Sequence, residues 1–500
     1  MPPEGIVVTT RRRKTGFAGD VLKLASGAAI AQVLGIISAP LLTRIFVPSA
    51  WGVLAIFVSI TGILQVIACM RYEFSIMLPE RDDDAVNLLG VSLAFAVLVS
   101  LLTTPLLWWW KDHILRWLNA PGLAPYLWLI PFMVFIHGVF LALNYWNSRT
   151  RNFGRLSIAR VTSSLATTVG KLGFGYAGYA TAGTLIGATV AGQAISTAVL
   201  GGQIWKDDRK IFLKSIHWKG MLEGIIRYKE FPLLNTWSSL MNIVSSQLAP
   251  LMLAVFFSTT IVGFFALGHR LLLMPAALIG RAIAQVFFQR SSKAKYDGTL
   301  PLVVGKTVSK LMLLGLFPIL LVMIAGKDFF SVIFGYQWAE AGVYAQILAP
   351  WILFQFLSSP ITTLLAVLEM QGESLLFNVI LLVTRIASLL IGGFVNNILI
   401  ALLLFSITGA IIYFGLLVFL LRKACISMSV LFQDSLRMGM IGFIILLPIA
   451  ILKGFSIQAS VIVMTGCLAL IIYYIILYFQ DKELNKLVSG LIPQRKGSDK

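Results

Sequence analysis

Long apolar runs alternate along the chain with short polar segments, and this pattern predicts most of the fold. A helix of about 20 apolar residues crosses the hydrocarbon core of a bilayer and satisfies its own backbone hydrogen bonds there. The sequence contains about fourteen such runs. They begin near Val21, Trp51, Leu88, Tyr126, Arg160, Thr181, Leu233, Val262, Val303, Val343, Leu375, Asn397, Met438 and Ser456. We therefore predict an all-α polytopic membrane protein with about fourteen transmembrane helices.

The composition agrees with this interpretation. The 500 residues are 58% hydrophobic and 12% charged, whereas a soluble globular chain is about 45–50% apolar and about 25% charged. Mean hydropathy is +0.88. The three cysteines, Cys69, Cys425 and Cys467, are far apart in sequence. They predict neither a disulfide framework nor a zinc site.

The Lys and Arg residues are distributed unevenly among the polar segments. If the spans alternate across the membrane, 29 of the 40 fall on one side, 4 fall on the other, and 7 lie within spans. Because basic loops stay in the cytoplasm, both termini are predicted to be cytoplasmic. The net charge of +19 then reflects topology rather than nucleic-acid binding. The first apolar run, 21–42, is too long for a signal peptide and predicts an uncleaved first span.

The most basic loop, 205–232, separates six predicted spans from the rest. A faint internal repeat also suggests two halves, because Ala39-Pro40-Leu41 followed by Gly52 resembles Ala249-Pro250-Leu251 followed by Gly263. Such repeats are common in transporters, although chance similarity of apolar runs is the alternative. The predicted divisions are a cytoplasmic tail (1–20), an N-terminal six-helix bundle (21–204), a basic cytoplasmic linker (205–232), a C-terminal six-helix bundle (233–421), two additional helices (422–480) and a cytoplasmic tail (481–500).

Seven cations lie inside the predicted spans or at their ends. Lys23, Arg44 and Lys310 are near span ends and can reach the headgroup layer. A cation deep in the membrane costs at least about 2.5–3.5 kcal/mol and usually faces a cavity or a partner. The deeper cations are Lys171, Arg270, Arg281 and Arg385. Since none of the 21 Asp and Glu is placed well inside a span, we predict that these cations line a central aqueous cavity that receives an anion. Capping of helix ends is the alternative for each.

No catalytic or metal-binding motif is evident in the sequence. Gly305-Lys306-Thr307 resembles the end of a phosphate-binding loop, but Leu300 occupies a position that requires glycine. His137 and His269 fall in spans and can titrate there, although helix packing is the default role for each. The sequence therefore predicts no cofactor, no metal site and no enzymatic activity.

Two regions carry an ordered set of glycine, proline and charged positions. They comprise Leu24-Ala25-Ser26-Gly27, Ala39-Pro40-Leu41-Leu42-Thr43-Arg44-Ile45-Phe46, Pro48, Trp51-Gly52-Val53, Arg71-Tyr72-Glu73, Ile76-Met77-Leu78-Pro79, Asn87-Leu88-Leu89 and Phe334-Gly335-Tyr336-Gln337-Trp338-Ala339-Glu340-Ala341-Gly342. These segments resemble the bacterial O-antigen and polysaccharide translocases of the multidrug/oligosaccharidyl-lipid/polysaccharide exporter superfamily.

The resemblance implies two six-helix bundles around a central cavity, two additional C-terminal helices and alternating access. It also implies a flippase of the bacterial inner membrane that translocates undecaprenyl-diphosphate-linked oligosaccharide repeat units for O-antigen, capsule or exopolysaccharide synthesis. Arg44 and Arg71 match family-like positions and join the four deeper cations as predicted diphosphate-binding residues. The expected partners are the lipid-linked oligosaccharide and membrane lipids, with a polysaccharide polymerase and a chain-length regulator as candidate protein partners.

Two other functions remain open at this point. A cation-coupled multidrug exporter of the same superfamily would need a carboxylate within the membrane, and none is found there. A membrane polysaccharide polymerase or ligase would usually carry a long outside loop. The longest predicted outside segments, 111–125 and 326–342, are short for that role.

Overall fold

The computed structural model describes residues 17–426, 428–455 and 457–480. The predicted tails therefore lie largely outside the described residues, which form helices and connecting turns. The α-helices are α1 (Phe17–Ile45), α2 (Pro48–Ile67), α3 (Tyr72–Ser75), α4 (Asp82–Trp109), α5 (Lys111–Trp117), α6 (Leu129–Arg149), α7 (Phe153–Tyr176), α8 (Ala182–Ser215), α9 (Trp218–Arg227), α10 (Thr236–Phe256), α11 (Thr259–Tyr296), α12 (Leu300–Phe334), α13 (Ala339–Ile361), α14 (Thr363–Val367), α15 (Gln371–Phe394), α16 (Ile398–Lys423), α17 (Met428–Gly454) and α18 (Ala459–Gln480). Pro121–Tyr126 and Tyr336–Trp338 form 3-10 turns, and Phe231–Asn235 forms a π-helical turn.

Fourteen of these α-helices have 20 or more residues, and each contains a predicted span start or begins within three residues after one. In the described part of the chain, eleven segments are both long and apolar enough to cross a membrane. The other three long helices are α7, which carries several cations, and α11 and α17, whose apolar stretches are shorter, Thr259–Met274 and Gly439–Gly454. The prediction of an all-α polytopic membrane protein is confirmed.

Several helices continue beyond the apolar runs that predicted them. The 34 residues of α8 span about 51 Å at about 1.5 Å per residue, whereas the hydrocarbon core is about 30 Å thick. Much of the predicted linker 205–232 is accordingly helical, because it contains the end of α8 and all of α9. The predicted outside segment 326–342 likewise begins within α12, where Asp328 lies 3.6 Å from the Lys453 ammonium.

Contacts between helices divide the chain into two compact units, one ending at Ala266 and the other beginning at Leu267. In the first unit, α1 packs on α7, α7 on α8, α4 on α6 and α2 on α10. In the second unit, α13 packs on α12 and α16, α15 packs on α16, and both α17 and α18 pack on α12. This division differs from the predicted grouping into six-helix bundles, whose boundaries stay a prediction.

Small residues bring helices of the first unit into close contact. A Cβ on Gly27 of α1 would lie only 2.1 Å from the Ser157 hydroxyl oxygen of α7. One turn further along, the Ser164 hydroxyl donates a 3.1 Å hydrogen bond to the Ala31 carbonyl. Gly192 of α8 approaches α7 in the same way. Lipid offers no hydrophobic driving force for helices to associate, so close packing of this kind holds them together instead. These contacts fix the position of α7 between α1 and α8.

Candidate functional site

Arg270 is an exposed cation deep within α11. It is the twelfth residue of that helix, which places it about 17 Å from the helix start and close to the middle of a core about 30 Å thick. Its side chain is exposed. Among the described residues, no ion-pair or hydrogen-bond partner of Arg270 is found. A guanidinium in this position is costly against lipid, so we expect its surroundings to compensate the charge.

Arg385 lies in a different environment, enclosed by aromatic rings of the second unit. Its guanidinium carbon is 5.3 Å from the ring centroid of Trp351 on α13 and 5.6 Å from that of Phe405 on α16. His269 of α11 stacks on Trp351 with a centroid distance of 5.3 Å and an interplanar angle of 10°. The structure thus brings two predicted site residues, His269 and Arg385, to the same tryptophan.

The Tyr413 hydroxyl completes this enclosure of Arg385. Its side chain is hydrogen-bonded to both Arg385 and Gln355. Ring faces attract a guanidinium electrostatically, and the phenol oxygen accepts from its N–H groups. Protein groups can therefore satisfy an intramembrane arginine without a carboxylate. Sequence reasoning missed these partners because they come from α13 and α16, and only an excess of aromatic residues could have signalled them.

The remaining predicted residues are dispersed. Lys171 lies five residues before the end of α7, is buried and interacts with other protein groups. Arg44 is exposed in the last turn of α1. His137 of α6 is half-buried, with its ring centroid 6.4 Å from that of Phe140. The side chain of Arg281 lies outside the described part of the structure. The assignment of these residues to a shared cavity stays a prediction.

Arg71 lies at a sharp elbow between α2 and α3. Its φ is 64°, a left-handed conformation that is uncommon for a residue with a side chain. The guanidinium is 3.5 Å from the Glu73 carboxylate and 5.2 Å from the Phe74 ring centroid. Glu73 is only 1% exposed. Burial raises the pKa of the Glu73 carboxyl, because lost hydration outweighs the attraction of Arg71. Arg71 is therefore partly neutralised by a buried acid that sequence reasoning did not single out.

The first turns of α2 and α11 cross in direct backbone contact. Gly52 is the fifth residue of α2, and Gly263 is the fifth residue of α11. A Cβ on Gly52 would lie 1.6 Å from the Thr259 carbonyl oxygen, and a Cβ on Gly263 would lie 2.0 Å from the Pro48 carbonyl oxygen. The contact is reciprocal, since each glycine meets the first turn of the other helix. The two members of the predicted repeat therefore touch at their matching glycines, on the predicted outer side of the membrane.

Comparisons with known proteins agree with this architecture. Over residues 41–343, the sequence matches the family described as "Polysaccharide biosynthesis protein". The lipopolysaccharide biosynthesis protein WzxC of Escherichia coli (strain K12) is 26% identical over 388 residues, which cover 74% of this chain and 75% of that protein. The lipid II flippase MurJ in an inward closed conformation superimposes with a TM-score of 0.72 at 13% identity, covering 92% of this chain and 99% of MurJ. An inward-facing multidrug resistance MATE family transporter of the MOP superfamily gives a TM-score of 0.63 at 14% identity, with 83% and 99% coverage.

The two structural likenesses show a shared fold, one that flippases and multidrug transporters have in common. The family match extends over more than half of the chain and includes Arg71, Lys171 and Arg270. Together they confirm the resemblance to polysaccharide biosynthesis proteins in sequence and to flippases and multidrug transporters in fold. This membrane protein belongs to the polysaccharide biosynthesis protein family.

Proposed function

We propose that this chain is a flippase that moves undecaprenyl-diphosphate-linked oligosaccharide repeat units across the bacterial inner membrane by alternating access. The glycan would serve O-antigen, capsule or exopolysaccharide synthesis. The chain performs transport and makes or breaks no covalent bond in its substrate. The family match and the fold shared with a lipid II flippase support this proposal.

The observation that carries the proposal is the exposed Arg270 side chain, the twelfth residue of α11 and close to the expected middle of the membrane core. A diphosphate brings about two negative charges, and an arginine fork matches phosphate oxygens in a bidentate manner. Arg270 supplies such a fork at membrane depth, and no described protein group occupies it. Transient pairing with the diphosphate would lower the cost of moving both charges through the membrane.

The proposed diphosphate set keeps the residues predicted from the sequence, with Arg270 as its principal member. The others are Lys171, Arg281, Arg385, Arg44 and Arg71. Arg385 is enclosed by aromatic rings and Arg71 is paired with Glu73. Each of these two would have to exchange a protein partner for phosphate during transport. The proposed topology places both termini and the segment 206–229 in the cytoplasm, as the distribution of basic residues predicts.

A deletion strain tests the proposal directly. Loss of the protein should abolish surface polysaccharide and leave lipid-linked repeat units on the cytoplasmic leaflet. Wild-type protein should restore export, and Arg270→Gln should fail to restore it at equal membrane abundance. Arg270→Lys should restore export in part, because lysine keeps the charge but loses the fork. Arg116→Gln is a matched control, since Arg116 is an exposed arginine of the short helix α5.

Two outcomes would contradict the proposed substrate, and a third would contradict the proposed role of the cations. Normal surface polysaccharide in the deletion strain, with no second flippase present, would show that the chain moves another substrate. Increased sensitivity of that strain to cationic drugs, with export intact, would favour a multidrug exporter. Full export by a variant with glutamine at Lys171, Arg270, Arg281 and Arg385 would reject the proposed role of these cations. It would not contradict the proposed substrate.

A further inference from the structure

Helix α9 presents three different faces around its circumference. Its ten residues, Trp218–Arg227, connect two membrane spans without themselves forming one. Trp218, Leu222 and Ile226 recur every four residues and form one apolar stripe. They are 72%, 41% and 68% exposed, respectively. A continuous apolar stripe on the surface of the molecule marks an interaction site.

A second face of α9 is firmly docked on the first unit. Gly224 packs against the Leu88 side chain of α4, where a Cβ would lie 2.9 Å from a Leu88 methyl carbon. The Asn87 amide donates to the Ser215 carbonyl at 3.0 Å and accepts from the His217 backbone N–H at 3.0 Å. These bonds fix the turn that leads into α9. The apolar stripe therefore cannot turn inward without breaking them.

Further along α9, the Tyr72 hydroxyl donates to the Ile225 carbonyl at 3.1 Å. Met221 also reaches α4, because a Cβ on Gly90 would lie 3.4 Å from the Met221 sulfur. The docked face is thus held at both ends of the helix. It leaves the apolar stripe and the charged face as the surfaces available to a partner.

The docking position gives α9 a definite depth. The 28 residues of α4 span about 42 Å, which exceeds a hydrocarbon core of about 30 Å by about 6 Å at each end. Asn87, Leu88 and Gly90 lie about 8–12 Å from the start of α4. They are therefore at or just inside the boundary between headgroups and acyl chains. Because α9 packs on these residues, its apolar stripe lies at the same level.

The third face of α9 and its flanks carry more basic than acidic residues, with Glu223 between Lys219 and Arg227. Lys219, Arg227 and Lys229 are exposed beside the apolar stripe. From residue 206 to residue 229 the chain has seven Lys and Arg against three Asp and Glu. Two of those acids, Asp207 and Asp208, already pair with Arg155. The surface next to the stripe therefore has an excess of positive charge, which is complementary to anionic lipid headgroups.

We propose that α9 is an interfacial anchor that binds anionic phospholipid of the cytoplasmic leaflet. Trp218, Leu222 and Ile226 insert at the boundary between headgroups and acyl chains, and Lys219 and Arg227 contact the lipid phosphates. An apolar stripe beside cations, at this depth, is the arrangement of helices that lie in the membrane interface. The inference does not depend on which substrate the protein transports.

A nitroxide spin label measures this insertion in the full-length protein. The exposed Cys425 and Cys467 are replaced by serine, and the buried Cys69 is retained. One variant carries the label at Leu222→Cys on the apolar stripe, and the matched control carries it at Glu223→Cys on the charged face. Each is reconstituted in phosphatidylcholine nanodiscs with or without phosphatidylglycerol. Relative collision with oxygen and with a water-soluble nickel chelate gives the depth of the label.

We expect the Leu222 label to lie about 5–10 Å below the phosphates in anionic discs, and the Glu223 label to remain in water. Omitting phosphatidylglycerol should move the Leu222 label toward water. Lys219→Gln/Arg227→Gln/Lys229→Gln should cause the same shift in anionic discs. Lys111→Gln/Arg116→Gln/Lys327→Gln removes the same charge from exposed positions elsewhere and should not shift the label.

Three results would overturn the proposal. The first is equal aqueous access at Leu222 and Glu223, and the second is a Leu222 depth that does not change with phosphatidylglycerol or with the charge variants. The third is full insertion in neutral discs that contain only a trace of undecaprenyl phosphate. That result would assign the surface to the polyprenyl carrier instead of the bulk phospholipid.

Discussion

The reciprocal glycine contact between α2 and α11 leads to a quantitative prediction. If neither helix moved, Gly52→Ala would place its methyl carbon 1.6 Å from the Thr259 carbonyl oxygen. A carbon–oxygen contact needs about 3.3 Å, so the two helices must separate by about 1.7 Å along that line. Overpacking of this kind costs about 1–3 kcal/mol. The contact between the two first turns should weaken by that amount, relative to a state in which they are apart.

A cysteine at Ser59 reports the separation. Ser59 lies two turns beyond Gly52 on α2, is 1% exposed and donates a 3.1 Å hydrogen bond to the Gln247 side chain of α10. A membrane-impermeant maleimide added outside intact cells should label Ser59→Cys slowly in an otherwise native chain. A cost of about 1–3 kcal/mol corresponds to a population change of about 5–150-fold, so Gly52→Ala should accelerate labelling by a factor in that range. If the chain is the proposed flippase, polysaccharide export should also fall, because alternating access would require the contact to re-form.

Three further variants make this prediction refutable. Gly263→Ala approaches the same contact from α11 and should accelerate labelling to a similar degree. Gly187→Ala of α8 is the control, because a Cβ there meets no atom within 4 Å. The double variant Gly52→Ala/Gly263→Ala should add little to either single change, since the first separation already makes room for the second methyl. Equal labelling rates in Gly52→Ala and Gly187→Ala proteins, at equal membrane abundance, would refute the reasoning.

Three other predictions follow from single residues. Burial raises the pKa of Glu73, so the folded state keeps this proton up to a higher pH than the unfolded chain does. The free energy of unfolding should therefore fall as pH rises from about 4 toward 7. Glu73→Gln should flatten that decline in Tm measured in detergent, and an unchanged slope would contradict the assignment. Arg385→Gln should lower both Tm and export, because it removes the guanidinium from the aromatic enclosure. Arg270→Gln should lower export alone. Equal losses of Tm in the two variants would reject this distinction. A cysteine at the exposed Lys210 should resist external labelling in intact cells, and rapid labelling would reverse the predicted topology.

The positions of the long helices could be predicted because the thickness of the bilayer core sets the length of the apolar runs. Apolar runs must match the bilayer core, so the runs in the sequence located the fourteen long helices of the described part of the chain. The helix ends were less predictable, as α8 and α12 show. Both continue as helices through polar sequence, to Ser215 and Phe334. Once a residue leaves the lipid, its side chain no longer reveals whether the backbone remains helical, and packing on neighbouring helices decides.

The site could be predicted only as a set of costly charges. Lys171 and Arg385 were identified because a cation at membrane depth needs compensation. Hydropathy does not say whether that compensation comes from protein, water or substrate. Lys171 is buried by the packing of α7, and Arg385 is enclosed by rings of α13 and α16. These partners are distant in sequence, and only the folded chain brings them together.

The difference between Arg385 and Arg270 separates two uses of a membrane arginine. An arginine that is enclosed by Trp351 and Phe405 and hydrogen-bonded to Tyr413 has its charge compensated in the resting protein. Pulling it out toward a ligand would forfeit those contacts, so its gain from binding phosphate is small. An exposed arginine such as Arg270 has no such contacts to lose among the described residues. An anion that reaches it gains nearly the full interaction, and for this reason exposure at membrane depth, rather than depth alone, indicates where an anionic substrate would bind.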